Sequence, residues 1–253
     1  EQTMDLSASK LTTAVTLPDD VALELLRTGA LSVEGRLVDA SNATLYCAVT
    51  ADGITAACVY KPVAGERPLW DFPDGTLAER EVAAYELSAC TGWRIVPPTV
   101  YRDGPAGPGM VQLWIDEDAL ADVVRLIRGG DSAALRRIAT FDAVINNADR
   151  KGGHLLPVAA GHVYGVDHGV TFHVQDKLRT VLWQWAGEPL PADAIDTLVD
   201  LRGALEGDLG ETLQELLTTR EVRRTIGRVD DLLALGRHPE PSGDWPPVPW
   251  PPM

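Results

Sequence analysis

Apolar and polar positions along this chain follow two different periods, and the changes between them divide it. Residues 1–17 carry no usable period and read as a loose arm or an edge strand. Pro18, Asp19 and Asp20 then open a helical segment with Val21, Leu25 and Leu26 on one side and Gly29 at its end. A strand-like period follows. Residues 35–39, 44–50 and 54–60 read as strands, the last two joined at Asp52-Gly53, a pair that favours a hairpin turn. Residues 77–91 return to a helical period, with Ala78, Val82, Tyr85 and Ala89 as the buried stripe and Thr76 and Glu79 spaced as a capping box. Val100-Tyr101 is a further short strand, framed by Pro97-Pro98 and a Gly/Pro-rich loop at 103–109, and the apolar run 110–115 follows.

That run passes directly into Asp116-Glu117-Asp118, a composition step that marks a boundary between lobes. Beyond it the chain reads as helical at 118–128 and 132–145, the second with Leu135, Ile138, Asp142 and Ile145 on one face. Three more helices are expected at 192–206, 209–219 and 220–235. The pattern predicts an α+β fold of two lobes: an arm at 1–17, an antiparallel sheet with a helix at 18–115, a mostly helical lobe at 116–238, and a Pro/Trp-rich tail at 239–253. That tail, with Trp245-Pro-Pro-Val-Pro-Trp-Pro-Pro-Met, reads as polyproline-like, either a ligand for a partner's aromatic groove or a strap along its own body.

The polar residues concentrate between 146 and 173. Leu155 to Val158 and Val163 to Val166 read as a hairpin turning at Ala160-Gly161, with one polar knot before it, residues 146–154, and another after it, residues 167–169. A turn centred there sets residue i opposite about 321 − i. His154 and Asp167 then face each other, a possible metal-binding pair. In the first knot Asp149 has Arg150 and Lys151 beside it, cations that would keep its carboxylate ionised and able to accept a proton.

Other candidates come from the first lobe. Lys61 stands at the end of a strand that Pro62 terminates, where a side chain can reach into a cleft; alone, it reads first as a solvated lysine. Glu81 lies at the border of the buried stripe of 77–91, one turn before Tyr85, and a carboxylate there either needs a cation, with Lys61 the nearest, or stays solvated. The link at 40–43 is polar, and Ser41 and Asn42 offer a weak phosphate-binding turn that lacks the glycines of a cradle.

Asp149-Arg150, a short polar run, a hairpin and then Val166-Asp167-His168-Gly169-Val170-Thr171-Phe172 together resemble the catalytic and metal-binding loops of the phosphatidylinositol 3/4-kinase superfamily. The loop Asn-Asn-Ala-Asp-Arg-Lys-Gly-Gly-His is more closely similar to that of an actinobacterial group of short kinase-like proteins, and the likeness runs from about residue 35 to 185. The resemblance implies a two-lobed protein-kinase-like fold and transfer of the γ-phosphate of ATP. The acidic composition and the lack of a basic amphipathic helix favour a protein Ser/Thr hydroxyl as acceptor, the protein's own included, with a phosphoinositide lipid as the alternative. It implies that Lys61 touches the α/β-phosphates, Glu81 holds Lys61, Asp149 positions or deprotonates the acceptor, Lys151 steadies the γ-phosphate, and Asp167 binds Mg²⁺ or Mn²⁺. Gln112 and Trp114 are the candidate residues beside the adenine, although Trp114 reads equally as core. The family's second metal ligand is usually Asn, five residues after the catalytic Asp. Here that position is His154, and imidazole suits Mn²⁺ better than Mg²⁺.

Composition narrows the setting. With 22 basic and 37 acidic residues the chain of 253 carries a formal charge of −15, which disfavours nucleic acid and anionic lipid as partners. Cys47, Cys58 and Cys90 have no metal spacing and read as reduced and buried in a cytoplasmic protein. No stretch approaches a membrane span or a signal peptide. Lys177 and Arg179, past the second knot, are cations able to meet an acidic or phosphorylated acceptor, while Trp183 and Trp185 read as core. Two rival readings stay open: a nucleotide-binding scaffold without turnover, suggested by the glycine-poor turn and His154, and a metal-dependent hydrolase, suggested by His154, His162, His168 and His173.

Overall fold

The computed structural model describes residues 17–37, 42–119 and 121–253. A first helix, α1 (Asp19–Thr28), precedes five strands, β1 (Ala30–Arg36), β2 (Leu45–Ala51), β3 (Ile54–Pro62), β4 (Thr99–Gly104) and β5 (Gly107–Leu113), with α2 (Leu77–Thr91) between β3 and β4. The strands pair antiparallel in the order β1-β2-β3-β5-β4. Asp52 and Gly53 both take positive φ, 49° and 76°, the geometry that makes such a pair close a tight hairpin. This first lobe, an antiparallel sheet with a helix between its strands, is therefore as the sequence implies.

Several element boundaries differ for identifiable reasons. β1 overlaps the expected strand at Gly35 and Arg36 alone, because it is an edge strand with its side chains mostly exposed and carries little burial pattern. The expected loop at 103–109 is a tight β4–β5 hairpin in which Gly104 pairs with Gly107. Its glycines serve close approach: a Cβ on Gly109 would lie 2.3 Å from the Lys61 carbonyl oxygen, and one on Gly104 would lie 2.6 Å from the Tyr60 ring.

The sheet buries both faces. Leu25 and Leu26 of α1 pack with Cys47, Cys58, Tyr60, Val100 and Val111 on one side; Ala78 and Val82 of α2 pack on Met110 on the other. α2 also faces the second lobe, where Ala83, Ala84, Tyr85 and Leu87 join the large core. That double burial is why Ala83, Ala84 and Leu87 are buried beside the expected stripe, whereas Ala89, in the last turn of α2, is exposed. The expected capping box at Thr76 is also absent. The Glu66 carboxylate accepts from the N–H groups of Leu77 and Ala78, at 3.2 and 2.9 Å, and Thr76 turns its hydroxyl to the Pro73 carbonyl. Cys47 and Cys58 are buried thiols, whereas Cys90 is exposed near the end of α2.

The second lobe contains α3 (Val123–Gly129), α4 (Ala133–Ile145), the short strands β6 (Leu155–Pro157) and β7 (Val163–Gly165), and α5 (Ala192–Leu205), α6 (Asp208–Leu216) and α7 (Thr219–Leu235). α3 starts later than expected because Asp122, not the earlier acids, accepts from Arg125 N–H as its cap. Arg80 of α2 joins the lobes through a buried ion pair with Glu221 of α7, at 2.8 Å, and a bond to the Thr171 carbonyl. Among the described residues no helix is long and apolar enough to cross a membrane.

The tail folds back on its own body. The Pro247 carbonyl accepts from Thr180 N–H and Trp183 Nε1–H, the Pro252 carbonyl accepts from Gly152 N–H at 2.8 Å, and the Trp245 ring covers the Lys177 ammonium at 4.7 Å. Of its two sequence readings, this geometry is the strap.

Candidate active site

The loop between α4 and β6 is built around buried charge. Asp142, on the core face of α4, takes Arg150 in a two-point pair, Nε to Oδ2 and Nη2 to Oδ1 both at 2.8 Å, with neither side chain exposed. Asn147, also fully buried, donates to Asp142 Oδ1 and accepts Asp149 N–H on its own Oδ1 at 2.9 Å. Helix α4 ends on Asn146 in the left-handed conformation. The helix end, the ion pair and Asn147 thus fix the backbone at Asp149. Arg150 does not lie beside Asp149 as expected; it turns inward to Asp142, the Val166 carbonyl and His168. Among the described residues Lys151 is the cation within ion-pair distance of the Asp149 carboxylate, at 3.6 Å. Burial pushes the Asp149 carboxyl up from its ordinary value against the pull of Lys151, which makes it a better proton acceptor than a free aspartate.

β6 and β7 form the expected hairpin in a register shifted by one: Leu155 pairs with Gly165 and Pro157 with Val163, so residue i faces 320 − i. His154 consequently sits opposite Val166, whose N–H donates to its carbonyl. Asp167 escapes the ladder through a left-handed backbone, φ 62°, and its Oδ2 still comes within 3.4 Å of His154 Nε2. The backbone excursion, not strand pairing, brings the two together.

Lys61 crosses between the lobes. Its Nζ donates to Glu81 Oε1 at 2.7 Å and to Asp167 Oδ1 at 3.1 Å. Glu81 is buried rather than solvated, and its second oxygen accepts His168 N–H at 2.8 Å, tying α2 to the loop at Asp167. Burial would lower the Lys61 ammonium, but Asp167 and Glu81 more than offset it and hold it above its ordinary value. Lys61 in turn keeps the Asp167 carboxyl well below the usual carboxylate range. Asp167 is thus an ionised carboxylate, and its side chain is 50% exposed.

The structure therefore brings Lys61, Glu81, Asp167 and His154 into one chain of contacts, with Lys151 ion-paired to Asp149 beside them. It does not bring every candidate there. Asn42 spends its side-chain oxygen on Arg67 N–H, Gln112 is buried and donates to Thr99, and Trp114 donates to Asp116 and packs edge-on against Tyr46. Ser41 lies outside the described residues. The four clustered histidines separate: His162 bonds the Arg94 carbonyl, His173 packs on Phe72, and His168 is buried against Arg150. The sequence reading set Asp142 on a face of the helix and Asn147 in the polar knot but gave neither a role, although a carboxylate on the buried face of a helix signals an unseen cation.

Among the described residues no group of three His, Cys, Asp or Glu side chains is disposed to hold a metal ion by itself. Asp167 and His154 nevertheless suit a cation whose remaining ligands come from phosphate oxygens. Burial pushes the imidazole down to about 4, so it is neutral at pH 7. Its Nδ1 accepts Lys151 N–H over a long 3.4 Å, a contact easily given up if Nε2 is to ligate.

A two-lobed fold with a lysine bridging from the sheet lobe to a half-exposed aspartate defines a kinase-like protein. Solved structures of similar fold include the Golgi casein kinase, 14% identical with a TM-score of 0.54 over 86% of this chain and 75% of that one. The Helicobacter pylori proinflammatory kinase CtkA is another, 10% identical with a TM-score of 0.50 over 81% of this chain and 92% of that one. No family model matches the chain. It is 45% identical over 272 aligned positions to protein Rv2133c of Mycobacterium tuberculosis (strain ATCC 25618 / H37Rv), covering 94% of this chain and 97% of that protein, and it belongs to the family of that protein.

Proposed function

We propose that this protein is an ATP-dependent phosphotransferase that moves the γ-phosphate of ATP to a Ser/Thr hydroxyl of a protein, its own chain included. The observation that carries the reading is Lys61 bonded at once to Glu81 and Asp167. It sets a cation from the first lobe beside an ionised carboxylate of the second, the pairing that phosphoryl transfer needs for charge neutralisation. The lobes divide at about residues 115 and 116, as the composition step suggests, and Lys61 spans that division. In this reading Lys61 binds the phosphates and Glu81 orients it. Asp149 accepts the acceptor's proton, and Lys151 steadies the transferring group. Asp167 and His154 would hold a divalent cation, which would supply further neutralisation of phosphate charge. Gln112 and Trp114 on β5 and the turn at Ser41-Asn42 remain the nucleotide-side candidates, and likeness of the two loops to phosphatidylinositol 3/4-kinases supports the same chemistry.

A protein acceptor is favoured over a lipid one because the chain carries a formal charge of −15, which anionic membrane surfaces repel. The test is incubation with γ-labelled ATP. Wild-type protein is expected to label itself or an added protein, and Asp167→Asn is expected to abolish the label. Nucleotide binding with no label on any acceptor would select a scaffold without turnover, the reading that His154 in place of Asn favours. Because His154 offers nitrogen, Mn²⁺ is expected to support faster transfer than Mg²⁺. Faster transfer in Mg²⁺ across a full concentration series would remove His154 from the metal site.

A further inference from the structure

Arg179 lies on the segment that pairs with the loop around Asp149. Its N–H donates to the Asn147 carbonyl at 2.9 Å and its carbonyl accepts from Arg150 N–H at 3.0 Å, so its backbone brackets Asp149. The side chain is half-buried, and its Nε is shielded from solvent with no hydrogen-bond partner. Among the described residues no ion pair or hydrogen bond engages its guanidinium.

The neighbouring cations are all engaged. Lys61 holds Glu81 and Asp167, Lys151 faces Asp149, and Arg150 is locked to Asp142. Lys177, the other cation the sequence offers to an acceptor, is buried against Asp71 at 2.6 Å between the rings of Trp70 and Trp245. Among the described residues Arg179 is therefore the cation beside Asp149 with its donors unspent. Its charge is felt at Asp149, whereas Asp167 feels Lys61, His154 and His168 foremost. It thus belongs to the proton-accepting side of the site rather than to the phosphate side that Lys61 serves.

We propose that Arg179 is a specificity-determining residue that grips an anionic group, a carboxylate or a phosphate, carried by the polypeptide acceptor next to its hydroxyl. A guanidinium presents parallel N–H donors matched to either group, and binding one would satisfy the donors left unpaired here. On a chain of net charge −15, which repels acidic polypeptides elsewhere, an unpaired guanidinium at this point selects where such an acceptor can dock. The inference rests on the phosphotransfer reading for its meaning but is tested by binding as well.

The experiment compares three labelled serine peptides, flanked by Glu, by Gln or by phosphoserine. Their affinity is measured by fluorescence anisotropy with a non-hydrolysable ATP analogue present, and transfer is followed as kcat and KM with ATP. The Glu and phosphoserine peptides are expected to bind roughly tenfold or more tighter than the Gln peptide. Arg179→Gln should erase that difference and raise the acceptor KM without raising the KM for ATP. Arg179→Lys should restore part of it. Arg220→Gln, an equal charge change at an exposed position of α7, should leave the preference intact. Equal binding of all three peptides by the wild type, equal losses in the Gln variants of Arg179 and Arg220, or a raised KM for ATP would overturn the proposal. Acidic preference without any transfer would keep it and sink the phosphotransferase reading; transfer without acidic preference would do the reverse.

Discussion

Replacing Asp149 by Asn is expected to lower phosphate transfer by about 10²–10⁴-fold, with nucleotide affinity little changed. The carboxylate is one-third exposed, so an acceptor hydroxyl can reach it, and it is held from behind by Asn147 through its own N–H. An amide keeps the shape and the backbone bond but has no basic oxygen. Burial raises the Asp149 carboxyl, and the proton it takes from a hydroxyl is better held than it would be on a free aspartate. The measurement is single-turnover transfer from γ-labelled ATP beside a nucleotide-binding titration. Transfer at the wild-type rate would exclude Asp149 as the proton acceptor, and loss of nucleotide affinity in parallel would place it among the binding groups instead.

Asp142→Ala is expected to be the most destabilising of the charge-removing substitutions in the loop. It leaves the Arg150 guanidinium with no counter-charge where neither side chain has any exposure, a loss of about 3–5 kcal/mol for a broken buried pair. It also takes an acceptor from Asn147, the residue that holds Asp149. Urea unfolding should show the midpoint falling with the slope unchanged, and transfer should fall even at temperatures where the variant is folded. The exposed pair between Arg137 and Asp193, 3.1 Å apart, supplies the contrast: Asp193→Ala should cost no more than about 1 kcal/mol. Equal effects of the two substitutions would mean that Arg150 finds water or another partner once Asp142 is gone.

The groups proposed to act in transfer stand on two kinds of support. Lys61 and Glu81 stand on a strand and a helix packed on one sheet face, which holds their separation. Asp149 and Asp167 stand on loops, and loops need extra fixing. One receives it from the Asp142, Arg150 and Asn147 knot. The other receives it from Glu81 through His168 N–H, with the tail strap tying Gly152 and Thr180 together from outside.

What the sequence determined by itself was the set of local periods: the hairpin at Asp52-Gly53, the helix faces of α1 and α4, the three closing helices, and the hairpin between the two polar knots. These depend on residues close in the chain, where turn chemistry and the spacing of apolar side chains act directly. Tertiary structure alone decided the rest. Glu66 caps α2 from eleven residues away, Arg150 turns to Asp142 instead of Asp149, and α2 buries Ala83, Ala84 and Leu87 beyond the expected stripe because it has two partners and not one. Asp167 meets His154 through a left-handed backbone after a register shift. Each of these outcomes is a choice among partners that local sequence leaves equally available. The choice falls to the arrangement in which buried charges find their counter-charges and helix ends find acceptors, and that arrangement exists once the lobes have packed.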